Sequence, residues 1–407
     1  VDEQDVRYEG WRVAAASGAA TFFSSFLVYT FAVFLKPLAS EFAWSRELVA
    51  SAYGVMGITV AAASPVFGYL LDRAGVRRVV LPCMAALGIG FVSLAFLTSR
   101  PWHFSATYVF FGVVGAGLAP TGYARAMSGW FEKRRALAIG IVISGSALAA
   151  IVQPPLTQAL IDRIGWRGTY AIIGVSILVI ACPVLAVFVR ERRRPLSAGA
   201  GLAPGASLSE ALRSRVFWTL VVVFFASAVA TNAVVVHLAA LLSDRGVTAG
   251  RAALVISTMG AASLAGRLVT GWLADRFFAA RVSFAMLLLT ALGTYLLATA
   301  NSFASGALAA ALIGFGMGGE FDVTPYMVSR YFGLRAFGTL YGIAFAAAAA
   351  SGAVGPVLLG RVFDTTGSYA SLLPKLALFV FTVALLMLTL PRYEPRTAAQ
   401  SVGVRAH

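Results

Sequence analysis

Twelve stretches of this chain are apolar over about 20 residues, the length a helix needs to cross the hydrocarbon core of a bilayer. They fall near residues 12–36, 47–71, 78–99, 102–130, 136–160, 167–189, 216–242, 250–274, 281–300, 303–331, 337–360 and 370–390. An unpaired backbone group in lipid costs several kcal/mol, so each stretch must satisfy its own hydrogen bonds as a helix. Composition agrees: 59% of the 407 residues are hydrophobic and 12% charged. Soluble domains run at about 45–50% and 25%.

The formal net charge of +15 raises the question of nucleic acid. A binder gathers its Lys and Arg on one exposed face, whereas here they sit in short clusters between apolar runs, so no nucleic acid is expected. Cys83 and Cys182 lie inside apolar runs far apart in sequence, where they read as packing residues and not as a disulfide. The glycine-rich stretches 112–117 and 314–319 follow no strand, which removes a dinucleotide reading and leaves close helix contact. With no coherent nucleophile, metal cluster or phosphate loop, the chain is not expected to be an enzyme or to need a cofactor or metal. Residues 1–12 mix Asp2, Glu3, Asp5 and Glu9 with Arg7 and carry no cleavage pattern, so the first helix should stay in the membrane.

Basic residues are retained preferentially on the cytoplasmic side. With both termini inside, 21 Lys and Arg fall on the cytoplasmic face and nine on the other, leaving Arg125 and Arg267 within spans. Residues 190–215 form the longest polar connection, a basic run followed by Gly, Ala, Pro and Ser, and read as a cytoplasmic linker. It separates an N-terminal six-helix bundle (1–189) from a C-terminal one with a short tail (216–407).

The halves repeat. Gly68, Asp72 and Arg73 fall on Gly271, Asp275 and Arg276 at a shift of 203, and Pro154, Asp162 and Gly165 fall on Pro356, Asp364 and Gly367 at a shift of 202. Parallel repeats of this kind place a substrate site near the midplane between the halves, exposed to either side as one rocks against the other.

The segment Gly68, Asp72, Arg73, Gly75, Arg77 and Arg78 resembles the signature loop between the second and third helices of the major facilitator superfamily. The resemblance spans the chain and implies an all-α membrane protein: twelve transmembrane helices in two pseudo-symmetric six-helix bundles. Asp72, Arg73, Arg77 and Arg78, with the weaker second copy Asp275 and Arg276, can form an ion-pair latch that opens as the halves rock. The basic residues can also serve topology alone. The run from Trp130 to Gly140, followed by Ser144, Gly145 and Ser146, is similar to the fifth-helix signature of monocarboxylate transporters and oxalate:formate antiporters. So are the entry Glu9 to Arg12 and the first-helix end Phe34 to Leu38.

Ionisable groups at membrane depth usually face a cavity or a partner. Four stand out: Arg125, Arg267, Glu320 and Asp322. Arg267 lies roughly 12 Å from Asp275 along the eighth helix, and Glu320 roughly 16 Å from Tyr331 along the tenth, so the two share a depth. Arg267, with Gly271 four residues on, resembles the eighth-helix arginine that binds substrate carboxylate in monocarboxylate transporters. A planar guanidinium suits that task, gripping a carboxylate bidentately with a charge that persists at any working pH. A structural pair with Glu320 or Asp322 is the alternative.

The family's acid four residues before that arginine is Ser263 here, and the first-helix lysine of animal members is Tyr29. Proton coupling therefore falls to Glu320 or Asp322. Helix eleven contains no lysine, unlike the antiporters, which favours a monoanion. Tyr29 and Tyr326 are candidate cavity hydroxyls, Arg125 a gating residue, and His237 with Asn232 a possible proton relay. The expected protein is a monomeric, proton-coupled transporter of a small organic anion in a bacterial inner membrane. Efflux of hydrophobic or cationic compounds is the alternative, and a non-transporting sensor a remote third.

Overall fold

In a computed structural model, the structure describes residues 9–119, 123, 127, 130–131, 135–189, 205–333 and 335–392. Arg125 lies outside the described residues, as do the side chains of Asp72 and Asp322.

The described residues form the twelve membrane helices expected. The first, α1, spans Glu9–Phe42. It is interrupted at Ser25 and Thr30, whose hydroxyls bond back to the carbonyls of Thr21 (2.7 Å) and Phe26 (2.6 Å). Such back-bonding competes with the helical ladder and bends it. Next come α2 (Arg46–Ala74), α3 (Val76–Leu94) and α4 (Pro101–Gly117).

The apolar helical stretch Leu137–Phe188 has 52 residues, which as one straight helix would run roughly 78 Å against a hydrocarbon core of about 30 Å. It cannot cross once. Gly165, at a φ of 73° that other residues rarely adopt, folds it in two, giving α5 (135–164) and α6 (166–188).

The second half holds α7 (Arg215–Asp244), α8 (Ala249–Arg276), α9 (Ala279–Leu297), α10 (Phe303–Phe332), α11 (Phe337–Thr366) and α12 (Leu373–Thr389). Before α7, a short surface helix, Leu208–Arg213, opens with a reciprocal cap between Ser207 and Glu210. The Ser207 backbone N–H holds the Glu210 carboxyl below its usual range.

There are two apolar cores. Phe34, Phe91, Phe111 and Tyr170 anchor the first, and Phe217, Ile256, Leu287 and Val380 the second. The cores interlock where Ala32 and Val33 of α1 join the second and Val236 and Ala240 of α7 join the first. The halves also meet along α2 with α11 and α5 with α8. Around the outside, Val175 and Val179 of α6 and Leu378 and Phe381 of α12 are exposed. An apolar surface of this kind is stable only against lipid.

Small residues set how closely the helices approach. A side chain added to Gly54 or Gly57 of α2 would run into the backbone of Ala353 or Ala349 of α11. One added to Gly260 of α8 would run into Ala150 of α5. These contacts lie toward the end of the molecule where α2 and α8 begin. Toward the other end Gly68, Gly140, Gly271, Gly338 and Gly342 have nothing within 4 Å. The cleft between the halves is closed at the first end and open at the second.

Candidate functional site

A cavity of about 240 Å³ lies in this cleft, lined by both halves. The first half contributes Tyr29 from the bent part of α1 and Ile143, Ser144, Ser146 and Ala147 from α5. Ser25, at the bend, lies 3.1 Å from Ser146 Oγ and can accept from that hydroxyl, and Thr21 donates to the carbonyl of Val142 (2.6 Å), fixing α1 against α5. Gly145 packs directly on the backbone of Gly18.

The second half contributes Met259, Gly260, Ser263, Leu264, Arg267 and Leu268 from α8 and Met317 from α10. On α8 these positions recur three and four apart, so they share one helix face. Gly266 and Gly314 let α8 and α10 approach to backbone contact, which holds that face toward the cleft. Arg267 is the one charged side chain among the described residues lining the cavity. It is set among the hydroxyls of Tyr29, Ser144, Ser146 and Ser263, with thioether and aliphatic walls.

Glu320 sits one step behind this cavity. Its side chain is 4% exposed, and Ser227 of α7 donates a hydrogen bond to its Oε2. Met317, three residues earlier on α10, lines the cavity itself. Tyr326 packs against the second core and is not among the cavity-lining residues, unlike the sequence expectation.

The suggested relay does not reach the cavity either. Asn232 donates to Ser351 Oγ of α11 (3.0 Å) and lies 3.5 Å from the hydroxyl of Tyr53 of α2, so it stitches helices at the closed end. His237 is fully buried, with Nε2 2.9 Å from the Pro356 carbonyl and Nδ1 3.2 Å from the Tyr369 hydroxyl.

The signature-loop residues lie at the open end. Arg73, Arg77 and Arg78 are exposed, as are Asp275 and Arg276. Arg73 rests over the Tyr69 ring at 4.7 Å and Arg276 over the Trp272 ring at 3.8 Å.

Among the described residues, the ion pairs that join the halves are at the other end, and sequence reasoning passed over them. Arg46 of α2 reaches Asp244 of α7 (2.5 Å), and Lys36 of α1 reaches the same carboxylate (3.0 Å). Arg46 also donates to the Tyr369 hydroxyl and lies 3.6 Å from the centre of the Phe363 ring. Asp364 of α11 accepts from the backbone N–H of Arg46 (2.9 Å) and of Glu47 (2.8 Å), so one half caps a helix of the other. The repeat had brought out Asp364 only as punctuation. Lys36 and Arg46 had served only to count charges. The available signal was opposite charge at neighbouring run ends: basic after the first run and before the second, acidic after the seventh and eleventh.

The sequence matches the family model described as Major Facilitator Superfamily over residues 18–356 and 238–404. An uncharacterized MFS-type transporter of Escherichia coli is 27% identical, covering 78% of this chain and 80% of its own. Monocarboxylate transporter 11 of Mus musculus is 29% identical, covering 95% of this chain and 88% of its own. The aspyridones efflux protein of Emericella nidulans is 26% identical, with 93% and 75% covered. Among solved structures, a bacterial homolog of the human lysosomal transporter Spinster superposes with a TM-score of 0.72 at 16% identity. That match covers 96% of this chain and all of the other. Twelve membrane helices in a fold shared with that structure, and a family match along most of the sequence, make this chain an integral membrane transporter belonging to the Major Facilitator Superfamily.

Proposed function

We propose that the protein is a secondary active transporter that carries a small organic monocarboxylate together with a proton. The observation that carries this reading is Arg267, a guanidinium set among hydroxyls and apolar walls in the cavity between the halves. A carboxylate can dock on its paired N–H groups while an apolar tail faces Met259 and Met317. A second carboxylate would find no second cation among the described lining residues, which favours a monoanion.

Glu320 or Asp322 carries the proton. Glu320 is buried with one hydroxyl partner, Ser227, where a neutral carboxyl is the less costly form. Residues 1–189 and 216–407 move as the two rocking units joined by 190–215. Both termini are cytoplasmic in a bacterial inner membrane, so the open end faces the cytoplasm. The signature-loop residues Asp72, Arg73, Arg77 and Arg78, with Arg125, Asp275 and Arg276, engage when that end closes. The likeness to monocarboxylate transporter 11 along 95% of the chain supports the substrate class.

Uptake of labelled lactate, pyruvate and aromatic acids into proteoliposomes at imposed pH gradients tests the reading. Transport should rise with an inward proton gradient and fall at least tenfold in Arg267→Gln. If no carboxylate moves, or Arg267→Gln transports as well as wild type, the reading is wrong.

The apolar walls and the likeness to the aspyridones efflux protein support a second reading, efflux of hydrophobic compounds. It requires drug resistance that Glu320→Gln abolishes, and unchanged susceptibility across a panel of cationic and neutral compounds counts against it.

A further inference from the structure

His237 ends a directional chain of hydrogen bonds that begins in the other half of the molecule. A carbonyl oxygen can only accept, so His237 Nε2, 2.9 Å from the Pro356 carbonyl, carries a proton and donates it. In the neutral ring Nδ1 is then the acceptor, and the Tyr369 hydroxyl 3.2 Å away donates to it. The oxygen of that hydroxyl in turn accepts from Arg46 Nη1, which crosses from α2. The polarity runs one way: Arg46 to Tyr369 to His237 to Pro356.

A proton added to His237 must go to Nδ1, which turns that atom from acceptor to donor. Two donors, Arg46 and the imidazolium, then point at one phenol oxygen, and the phenol proton loses its acceptor. Burial raises the Tyr369 pKa well above its ordinary value, so the hydroxyl cannot relieve the conflict by ionising.

The charges acting on the ring are few. Arg46 on α2 opposes a second cation, and Asp364 on α11 favours one. Lys36 of α1 and Asp244 of α7 pair with each other beyond Arg46, with Asp244 shared between the two bases. Asp364 is already engaged by the two backbone N–H groups of α2.

We infer that His237 is a proton-operated release for the closed end of the transporter, separate from the substrate cavity. The neutral ring completes the chain that holds Arg46 in the second half. The protonated ring ejects it. When Arg46 withdraws, Tyr369 is free to accept from the imidazolium, so the proton binds the released arrangement better than the latched one. By linkage, that difference in proton affinity opens the end on acidification. Stability of the latched state is complete above the histidine's pKa in the released state. It is lost as pH falls from there toward the lower pKa of the latched state.

Spin labels on Ala43→Cys and Ala370→Cys, in a Cys83→Ser, Cys182→Ser background, report the distance across the closed end in lipid nanodiscs. Both positions are exposed, one on each half. Between pH 8 and pH 5.5 the ratio of short to long distances should fall about tenfold if the released ring has an ordinary pKa of about 6.5 and the latched ring is not yet protonated at pH 5.5. In His237→Gln an amide can accept from Tyr369 and donate to Pro356 without titrating, so the short distance should persist at both pH values. His237→Asn provides the same readout should the longer side chain disturb folding. Tyr369→Phe should lower the short population at both values and remove the response to pH. A wild-type distribution that does not change with pH overturns the inference. So does a His237→Gln response equal to that of wild type, which would place the titrating group elsewhere.

Discussion

Replacing Gly271 of α8 with leucine should slow transport without unfolding the protein or abolishing access to the cavity. Gly271 lies four residues beyond Arg267 and three beyond Leu268, so it continues the cavity-lining face of the helix toward the open end. In this arrangement an added side chain there meets nothing within 4 Å, so the substitution costs the open state little. Eleven residues earlier on the same face, Gly260 is in contact with Ala150 of α5, at the end where the cleft is closed. If the open end closes by the same kind of contact, α5 must come onto Gly271 as it now sits on Gly260, and a leucine would occupy that space. Inserting bulk into a packed contact costs typically about 1–3 kcal/mol. An offset of that size shifts an equilibrium between two states by about 5–150-fold. Transport of the carboxylate identified in proteoliposomes should fall within that range. Labelling of Ser144→Cys in the cavity by a membrane-impermeant maleimide added at the open end should stay as fast as in the Gly271 parent, or become faster. Gly260→Leu should behave in the opposite way, lowering thermal stability of this state because it strikes the Ala150 backbone. Wild-type transport by Gly271→Leu would refute the reasoning, as would equal effects of the two substitutions on stability.

Three further outcomes follow from individual contacts. Arg46→Gln removes a side chain that pairs with the partly exposed Asp244 and donates to Tyr369, and a hydrogen bond to a charged group is worth about 1.5–3 kcal/mol. Because Lys36 still neutralises Asp244, the lower end of that range should apply, and spin-label distances across the closed end should shift to the open population by over tenfold. Lys36→Ala should change the same distances little, about 0–1 kcal/mol, since that ammonium is 44% exposed. Ser227→Ala leaves a buried carboxyl of Glu320 without its hydroxyl partner and should cost about 1–3 kcal/mol of thermal stability, with Ser227→Thr restoring most of it.

The helices were readable because lipid imposes one rule along the whole sequence. A run of about 20 apolar residues in lipid has no stable alternative to a helix, so the twelve runs return as twelve membrane helices among the described residues. The breaks were legible only in part. Gly165 stood out as a repeat element, and it does turn α5 into α6. The interruptions at Ser25 and Thr30 did not stand out, since a hydroxyl that back-bonds within its helix looks in sequence like one that points anywhere else. Yet those bends aim Tyr29 into the cavity. Arg267 was found because a charge at membrane depth is rare enough to need a reason. Arg46 and Asp244 were missed because charges at helix ends are common, and only the fold reveals that two ends from different halves meet.

The closed end and the cavity divide the work of the molecule between different kinds of residue. At the cavity a single described cation, Arg267, is set among hydroxyls and apolar groups, where a bound anion would meet it. At the closed end Arg46, Lys36, Asp244, Tyr369 and Asp364 form a network in which each member is held by another, centred on Arg46 with the exposed Lys36 at its margin. Networks of that kind release as a unit, which suits a gate. The two regions are joined by α8 and by α7: α7 carries Asp244 and His237 at the gate and Ser227 against Glu320 behind the cavity. From Ser227 to His237 is ten residues of one helix, roughly 15 Å. A rigid shift of α7 that disturbs the Ser227 hydroxyl on Glu320 would therefore also displace Asp244 relative to Arg46. Under the proposed mechanism, protonating His237 on α7, or Glu320 where it accepts from Ser227 of α7, would bias the same helix, and that sharing would carry occupancy of the cavity to the closed end.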